Sequence, residues 1–299
     1  MSETHSPVIV DSHQHFWRYD PREYDWIDDE LAAIRRDFLP ADLAREIEAA
    51  GVDAVVSVQA RQTLEETRWL LDLAGENDFV AGVVGWVPLT SPTVAETLAR
   101  LAANPRLCGV RHVLQGEADP DFAARRDFNA GIAALREHGL AYDVLVYERQ
   151  LPMATALVDR HPDQVFVVDH VAKPRIRDGI VSPWRARIRE LGRRPNVFCK
   201  LSGMVTEADP RAWTRASLEP YAQAVLEAFG PSRVMFGSDW PVCLAGCGYA
   251  QWLGTVRELC RGLSAAERGK VLGGTAREAY GLDAKWPAGR RTIVSGGEP

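Results

Sequence analysis

Short runs of β-branched and apolar residues recur along the chain, at 8–12, 54–59, 80–87, 107–112, 141–146, 165–170, 196–202 and 233–239. After each run, apolar positions return every three to four residues. Near-continuous apolar runs are the mark of strands buried on both faces, and the intervening period is that of helices covering them. Eight such units in succession predict a single-domain (β/α)8 TIM barrel over residues 1–284, in preference to an open doubly wound sheet. The stretch 285–299 has no periodicity and reads as a C-terminal tail.

The helical stretches carry start and stop signals. Pro40 takes a first-turn position, and Gly51 stops the same helix after Ala50. Thr63-Leu64-Glu65-Glu66 has the spacing of a capping box, with Trp69, Leu70 and Leu73 as the apolar stripe behind it. His138 and His161 are expected at exposed last turns, and His5 belongs to a loose terminus, which sets aside three of the seven histidines. Two connections, 16–39 and 240–249, are too long for simple barrel loops. Both follow strands, on the face where this fold builds its active site, and long loops there form a lid or wall.

Composition narrows the partners. A chain of 299 residues with 46% hydrophobic content buries a large core without covalent staples. A net charge of −6 and the lack of any basic run speak against nucleic acid. No apolar stretch approaches the ~18 residues that span a bilayer, and the first seven residues lack a secretory leader's pattern. The expected location is the cytoplasm. The five cysteines are scattered and suggest no disulfide framework, and Cys243 and Cys247 have no second Cys or His pair nearby to complete a metal site.

Polar residues punctuate the strands at one end. The first strand runs into Asp11-Ser12-His13-Gln14-His15, the sixth into Asp169-His170 and the eighth into Gly237-Ser238-Asp239-Trp240. Residues i and i+2 of a strand share a face, so His13 and His15 point the same way. The first and eighth strands are neighbours in a closed barrel and the sixth lies close by, so His13, His15, His170 and Asp239 converge at the mouth. Three imidazoles and a carboxylate are either metal ligands or proton-transfer groups. Asp143, Lys200 and Asp169 are charges in apolar surroundings. They read either as an internal ion-pair network bracing the site or as contacts to substrate hydroxyls.

These segments, with Val168-Asp169-His170-Val171-Ala172-Lys173-Pro174, Cys199-Lys200-Leu201-Ser202-Gly203 and Phe236-Gly237-Ser238-Asp239-Trp240-Pro241, resemble the amidohydrolase superfamily. The closer likeness is to its sugar-lactonase branch, of the L-fuconolactonase and L-rhamnonolactonase type, related to 2-pyrone-4,6-dicarboxylate lactonase. Dinuclear members need a bridging Lys or Glu after the fourth strand and a His after the fifth, where this chain has Arg111-His112 and Val146-Tyr147. The resemblance therefore implies at most one divalent ion, zinc, on His13, His15, His170 and Asp239. It also leaves open a metal-independent route, known among relatives that hydrolyse esters.

The implied activity is the opening of a sugar-derived lactone to its aldonic acid. Asp239 is expected as the base for water, with His170 and His112 as catalytic partners. His13 and His15 are further candidates to polarise the carbonyl. One oxyanion donor is worth ~3 kcal/mol, so these partners need not include a metal. Candidate substrate contacts are Trp17, Arg18, Gln59, Arg61, Arg111, Asp143 and Trp240, with Trp86 as a further stacking surface. The rivals are a metal-dependent decarboxylase and a lactonase for a dicarboxylate from aromatic breakdown.

Overall fold

A computed structural model describes residues 7–286. Eight parallel strands lie in chain order, each hydrogen-bonded to the next. They are β1 (Val10–Gln14), β2 (Ala54–Val58), β3 (Val80–Gly85), β4 (Leu107–His112), β5 (Ala141–Val144), β6 (Phe166–Val168), β7 (Val197–Leu201) and β8 (Val234–Phe236). The barrel closes where β8 returns to β1. The Ser12 hydroxyl donates to the Phe236 carbonyl (2.6 Å), the Asp239 amide to the His13 carbonyl (2.7 Å) and the His15 amide to the Trp240 carbonyl (2.7 Å). This seam carries β1 past its expected end at residue 12, so that His13 lies within the strand rather than after it. β6 and β8 are shorter than expected, because the chain leaves the extended conformation at Asp169 and Gly237.

Helices α1 (Pro40–Ala50), α2 (Leu64–Glu76), α3 (Val94–Ala102), α4 (Arg126–Glu137), α5 (Leu151–Arg160), α6 (Trp184–Leu191), α7 (Met204–Glu207), α8 (Arg215–Phe229) and α9 (Tyr249–Leu259) follow the strands. Pro40 opens α1 and Gly51 closes it at φ 70°, as expected. Thr63 caps α2 by accepting from the Glu66 amide at 3.1 Å. The reciprocal half of that capping box is not made. The Glu66 carboxylate, 1% exposed, turns inward and accepts from the Ala60 and Arg61 amides at 3.0 and 2.7 Å. The loop leaving β2 lies directly over this position, and its two amides outcompete the helix's own. His138 and His161 do end helices but are half-buried rather than exposed, with His161 Nε2 2.9 Å from Asn129 Oδ1.

Two apolar layers hold the barrel. One fills the annulus between strands and helices. The other lies inside the strands, built from Val56, Ala141, Val167, Phe198 and Met235, and is plugged by Ala276, Tyr280 and Leu282 from the C-terminal helical segment. Two residues further along the same strands the interior changes character: Ala141 gives way to Asp143, Val167 to Asp169, Phe198 to Lys200 and Met235 to Gly237. An apolar floor therefore carries an ionic layer, and the histidines sit above it. Trp286 Nε1 donates to the Asp78 carbonyl at 2.8 Å. The rest of the expected tail, from 287 on, and the terminus with His5 lie outside the described residues.

Gly237 makes the seam close enough. A Cβ there would stand 2.8 Å from the His13 Cβ and 3.1 Å from the Ser202 Cβ, neither of which has a flexible end to move away. Gly237→Ala is expected to destabilise the barrel by about 1–3 kcal/mol through this overpacking. Urea unfolding against the wild type checks it, and unchanged stability would show that the seam has slack.

Candidate active site

Three imidazoles and one carboxylate meet at the C-terminal mouth of the barrel. Asp239 Oδ1 lies 3.4 Å from His15 Nε2, 3.7 Å from His13 Nε2 and 3.9 Å from His170 Nε2, and the His13 and His15 Nε2 atoms are 3.2 Å apart. Ligand atoms bound tetrahedrally to one ion at ~2.0–2.1 Å stand roughly 3.3 Å from one another. His13, His170 and Asp239 each offer a ligand atom within 4.8 Å of the others, and His15 borders the same space.

The outer nitrogens are held as a metal centre requires. His15 Nδ1 donates to the Val58 carbonyl at 2.8 Å, which turns Nε2 inward toward Asp239. His170 Nδ1 meets the Ser202 hydroxyl at 3.0 Å. His13 Nδ1 has both the Asp169 carboxylate (3.2 Å) and the Lys200 ammonium (3.0 Å) in reach. Burial, reinforced by Lys200, holds His13 well below the usual imidazole range, and burial pushes His170 down to about 4, so both are neutral at pH 7. Burial alone would raise the Asp239 carboxyl, but the facing imidazoles outweigh it and hold the group well below the usual carboxylate range. Asp239 is thus an anion ringed by imidazole nitrogens. Arg111 Nη1 also approaches His13 Nε2 at 3.4 Å, and the set of three imidazoles and a carboxylate fits a divalent ion.

Beneath lies the ionic layer. Lys200 Nζ contacts Asp143 at 2.5 Å and Asp169 at 2.9 Å, Arg111 reaches Asp169 at 3.0 Å, and the Tyr280 hydroxyl donates to Asp143 from the plug. Burial pushes Asp143 up to about 6 against the pull of Lys200. In Asp169, Lys200 and His13 outweigh burial and hold the carboxyl well below its usual range. Of the two readings open for these charges, the geometry shows the internal network.

Above the cluster opens a cavity of about 780 Å³, lined by His15, His170, Asp239, Arg111, Arg61 and Trp26 among others. Arg111 is 4% exposed, and its Nε has no partner among the described residues. Other candidates do not line this cavity. Trp17 is fully buried against Tyr24, Trp26 and Phe38, so it supports Trp26 from behind. Trp240 packs on Phe16 and Phe38, and Arg18 lies exposed over Trp69. Gln59 braces Arg111, donating to its carbonyl at 3.2 Å, and Asp143 stays in the layer below. His112 has both ring nitrogens engaged, by Trp86 Nε1 at 3.3 Å and by Glu117 at 2.6 Å, and latches two loops together beside the cavity. Lys173 and Glu207 line the cavity and carry no site role in the sequence reading. Lys173 stood inside a quoted motif, while Glu207 gave no pattern at all.

The residues that match the amidohydrolase family model run from 10 to 282. The chain belongs to the amidohydrolase family. An L-fucono-1,5-lactonase of Burkholderia multivorans is 45% identical to this amidohydrolase over 284 residues, 91% of this chain and 96% of the relative. A second L-fucono-1,5-lactonase, from Burkholderia ambifaria, is 43% identical over 92% of this chain and 96% of its own length. The crystal structure of an amidohydrolase from Burkholderia multivorans with bound zinc superposes at TM-score 0.88, with 45% identity, over 92% of this chain and 99% of that one.

Glu66 ties the β2 loop, and with it Arg61, to the barrel. Burial pushes its carboxyl from 4.5 up to about 7. A raised carboxyl pKa contributes stability that is full below about 4.5 and is lost as pH rises through about 7. Glu66→Gln keeps an acceptor for the Ala60 and Arg61 amides without the buried charge. Its Tm relative to the wild type should therefore rise between pH 5 and pH 8. A gap independent of pH would mean that Glu66 does not titrate in this window.

Proposed function

We propose that this amidohydrolase opens an L-fucono-type 1,5-lactone to its aldonic acid, with Asp239 as the base and zinc as the metal. The chain is a lactone hydrolase, as its close relatives are. The observation that carries the mechanism is Asp239, an anion at the cavity floor with three imidazole nitrogens facing it. A divalent ion held by His13, His15, His170 and Asp239 would supply Lewis acidity to the water and to the ester carbonyl.

The chain's own groups do the rest. Asp239 takes a proton from the attacking water and returns it to the ring oxygen as the ester bond breaks, so no other acid is required at the leaving group. Arg111, which lines the cavity, is the cation placed to hold the developing oxyanion. Trp26 offers a flat surface 38% exposed for the apolar face of a sugar ring.

Glu23, Asp25, Asp28 and Glu30 also line the cavity and, with Glu207 and Asp239, outnumber its cations Arg61, Arg111 and Lys173. That field repels carboxylate substrates and disfavours both rivals, the decarboxylase and the dicarboxylate lactonase. We also place the protein in the cytoplasm. Its five cysteines are free and buried, which suits a reducing compartment. Among the described residues no helix is long and apolar enough to cross a membrane.

Asp239 sits at φ 58°, a conformation asparagine tolerates well, so Asp239→Asn should leave the fold intact. Its kcat on L-fucono-1,5-lactone, followed by proton release, should fall ~10²–10⁴-fold. Wild-type turnover would remove Asp239 from the mechanism. In the wild type, metal analysis should find no more than one zinc per chain. A second tightly bound equivalent that scales with activity would refute the mononuclear site. Across a lactone panel, an unsubstituted ring should be poorer than the sugar lactone by up to ~10⁴-fold in kcat/KM. Equal rates would sink the sugar assignment.

A further inference from the structure

Four consecutive non-glycine residues, His170, Val171, Ala172 and Lys173, are held at φ 51°, 49°, 59° and 47°. L-residues rarely adopt this conformation, even singly. The buried Trp184 pins the run, donating from Nε1 to the Val171 carbonyl at 2.8 Å. At one end the run presents His170 to Asp239. At the other it presents Lys173 to the same cavity.

Lys173 has one carboxylate beside it. Its Nζ lies 3.7 Å from Glu207 Oε1, beyond the ~2.7–2.9 Å of a charge-assisted hydrogen bond. The ammonium also stands 5.5 Å from the centre of the Tyr147 ring. Both charged side chains are about one-fifth exposed, at 19% and 23%, and both line the cavity. Each therefore keeps hydrogen-bonding capacity that a guest can use. Burial pushes the Glu207 carboxyl up, against the pull of Lys173.

Both groups are tied to His170. The Lys173 amide donates to the His170 carbonyl at 2.8 Å. Glu207 ends α7, which starts after Gly203, and a Cβ on Gly203 would stand 2.6 Å from His170 Nδ1. The Arg177 amide closes the two loops by donating to the Glu207 carbonyl at 2.9 Å. The position of the pair relative to the reacting carbon is thereby set by the catalytic histidine.

We propose that Lys173 and Glu207 are the specificity-determining pair that reads two adjacent hydroxyls of the lactone ring. The ammonium donates to one hydroxyl oxygen, and the carboxylate accepts the proton of its neighbour. An ion pair held 3.7 Å apart and kept only for stability would not need a strained backbone to aim its lysine into the cavity. This inference rests on the lactonase reading.

The test compares the wild type, Glu207→Gln and Lys173→Met on the sugar lactone and on analogues each lacking one ring hydroxyl. Removing a hydroxyl that the pair reads should lower wild-type kcat/KM about 10- to 100-fold, as should either substitution on the full lactone. In the variant that has lost its partner, removing that same hydroxyl should cost no more than about 2-fold, while the other hydroxyls remain additive. Each variant is its own reference, so a loss of folded enzyme cancels. Additive losses at every position, or wild-type kcat/KM in both variants, would overturn the pair's role. A wild type inactive on all the lactones would overturn the lactonase reading, and the pair's role with it.

Discussion

The seam between β8 and β1 is the constraint on which the site depends. A parallel barrel must join its last strand to its first, and here the joining hydrogen bonds are made by the site residues themselves. The Asp239 amide bonds the His13 carbonyl, and the His15 amide bonds the Trp240 carbonyl. The placing of Asp239 against His13 and His15 is therefore tied to the hydrogen bonds that close the barrel. Asp11 ties the same seam from below. Fully buried, it accepts from the Ser238 and His13 amides and from the Tyr249 hydroxyl. A buried acceptor that loses its donors costs about 1–3 kcal/mol, so displacing any of these groups disturbs closure and chemistry together.

Charge balance explains why the cluster invites a cation. In the ionic layer, Lys200 and Arg111 offset Asp143 and Asp169. Above them Asp239 stands beside His15 and beside His13 and His170, the latter two kept neutral by burial. An uncompensated buried carboxylate is costly, and neutral imidazoles relieve it only by donating protons. The His15 Nδ1–H is taken up by the Val58 carbonyl. His13 is different. With Asp169 accepting from Nδ1 its Nε2 is a lone pair, and with Lys200 donating to Nδ1 its Nε2 can carry a proton toward the centre. The first arrangement suits a metal and the second suits its absence, so one buried salt-bridge network underlies both routes that the family resemblance left open.

The barrel and the central cluster were legible in the sequence because both follow from period. Alternation within strands places His13 beside His15, and strand order brings Asp239 to them. The cavity wall was not legible, because loop conformation leaves no such period. Trp17, two residues beyond His15, continues the apparent alternation, yet the chain turns there to pair with Phe38 and the indole enters the core. His112 closes β4 as His170 follows β6, but Glu117 from the next loop claims its outer nitrogen. Lys173 reaches the cavity only through a left-handed run that no propensity favours. The Glu66 capping signature was present in the residues, and tertiary contact with the β2 loop overrode half of it.

Among the described residues, every non-glycine residue at positive φ lies at 170–173 or 239. All five are at the C-terminal ends of β6 and β8, and none is on the opposite face. Each such residue costs on the order of 1–3 kcal/mol and persists only where its surroundings over-determine it. Those surroundings are present: Trp184 fixes the β6 turn, the seam amides fix Asp239, and the apolar plug of Tyr280 and Leu282 closes the far end of the barrel. Among the described residues, strain at positive φ is confined to the end that faces the cavity. Relaxing the β6 turn to ordinary φ would rotate His170 away from Asp239, so the strain is the means by which two separate strands aim at one point.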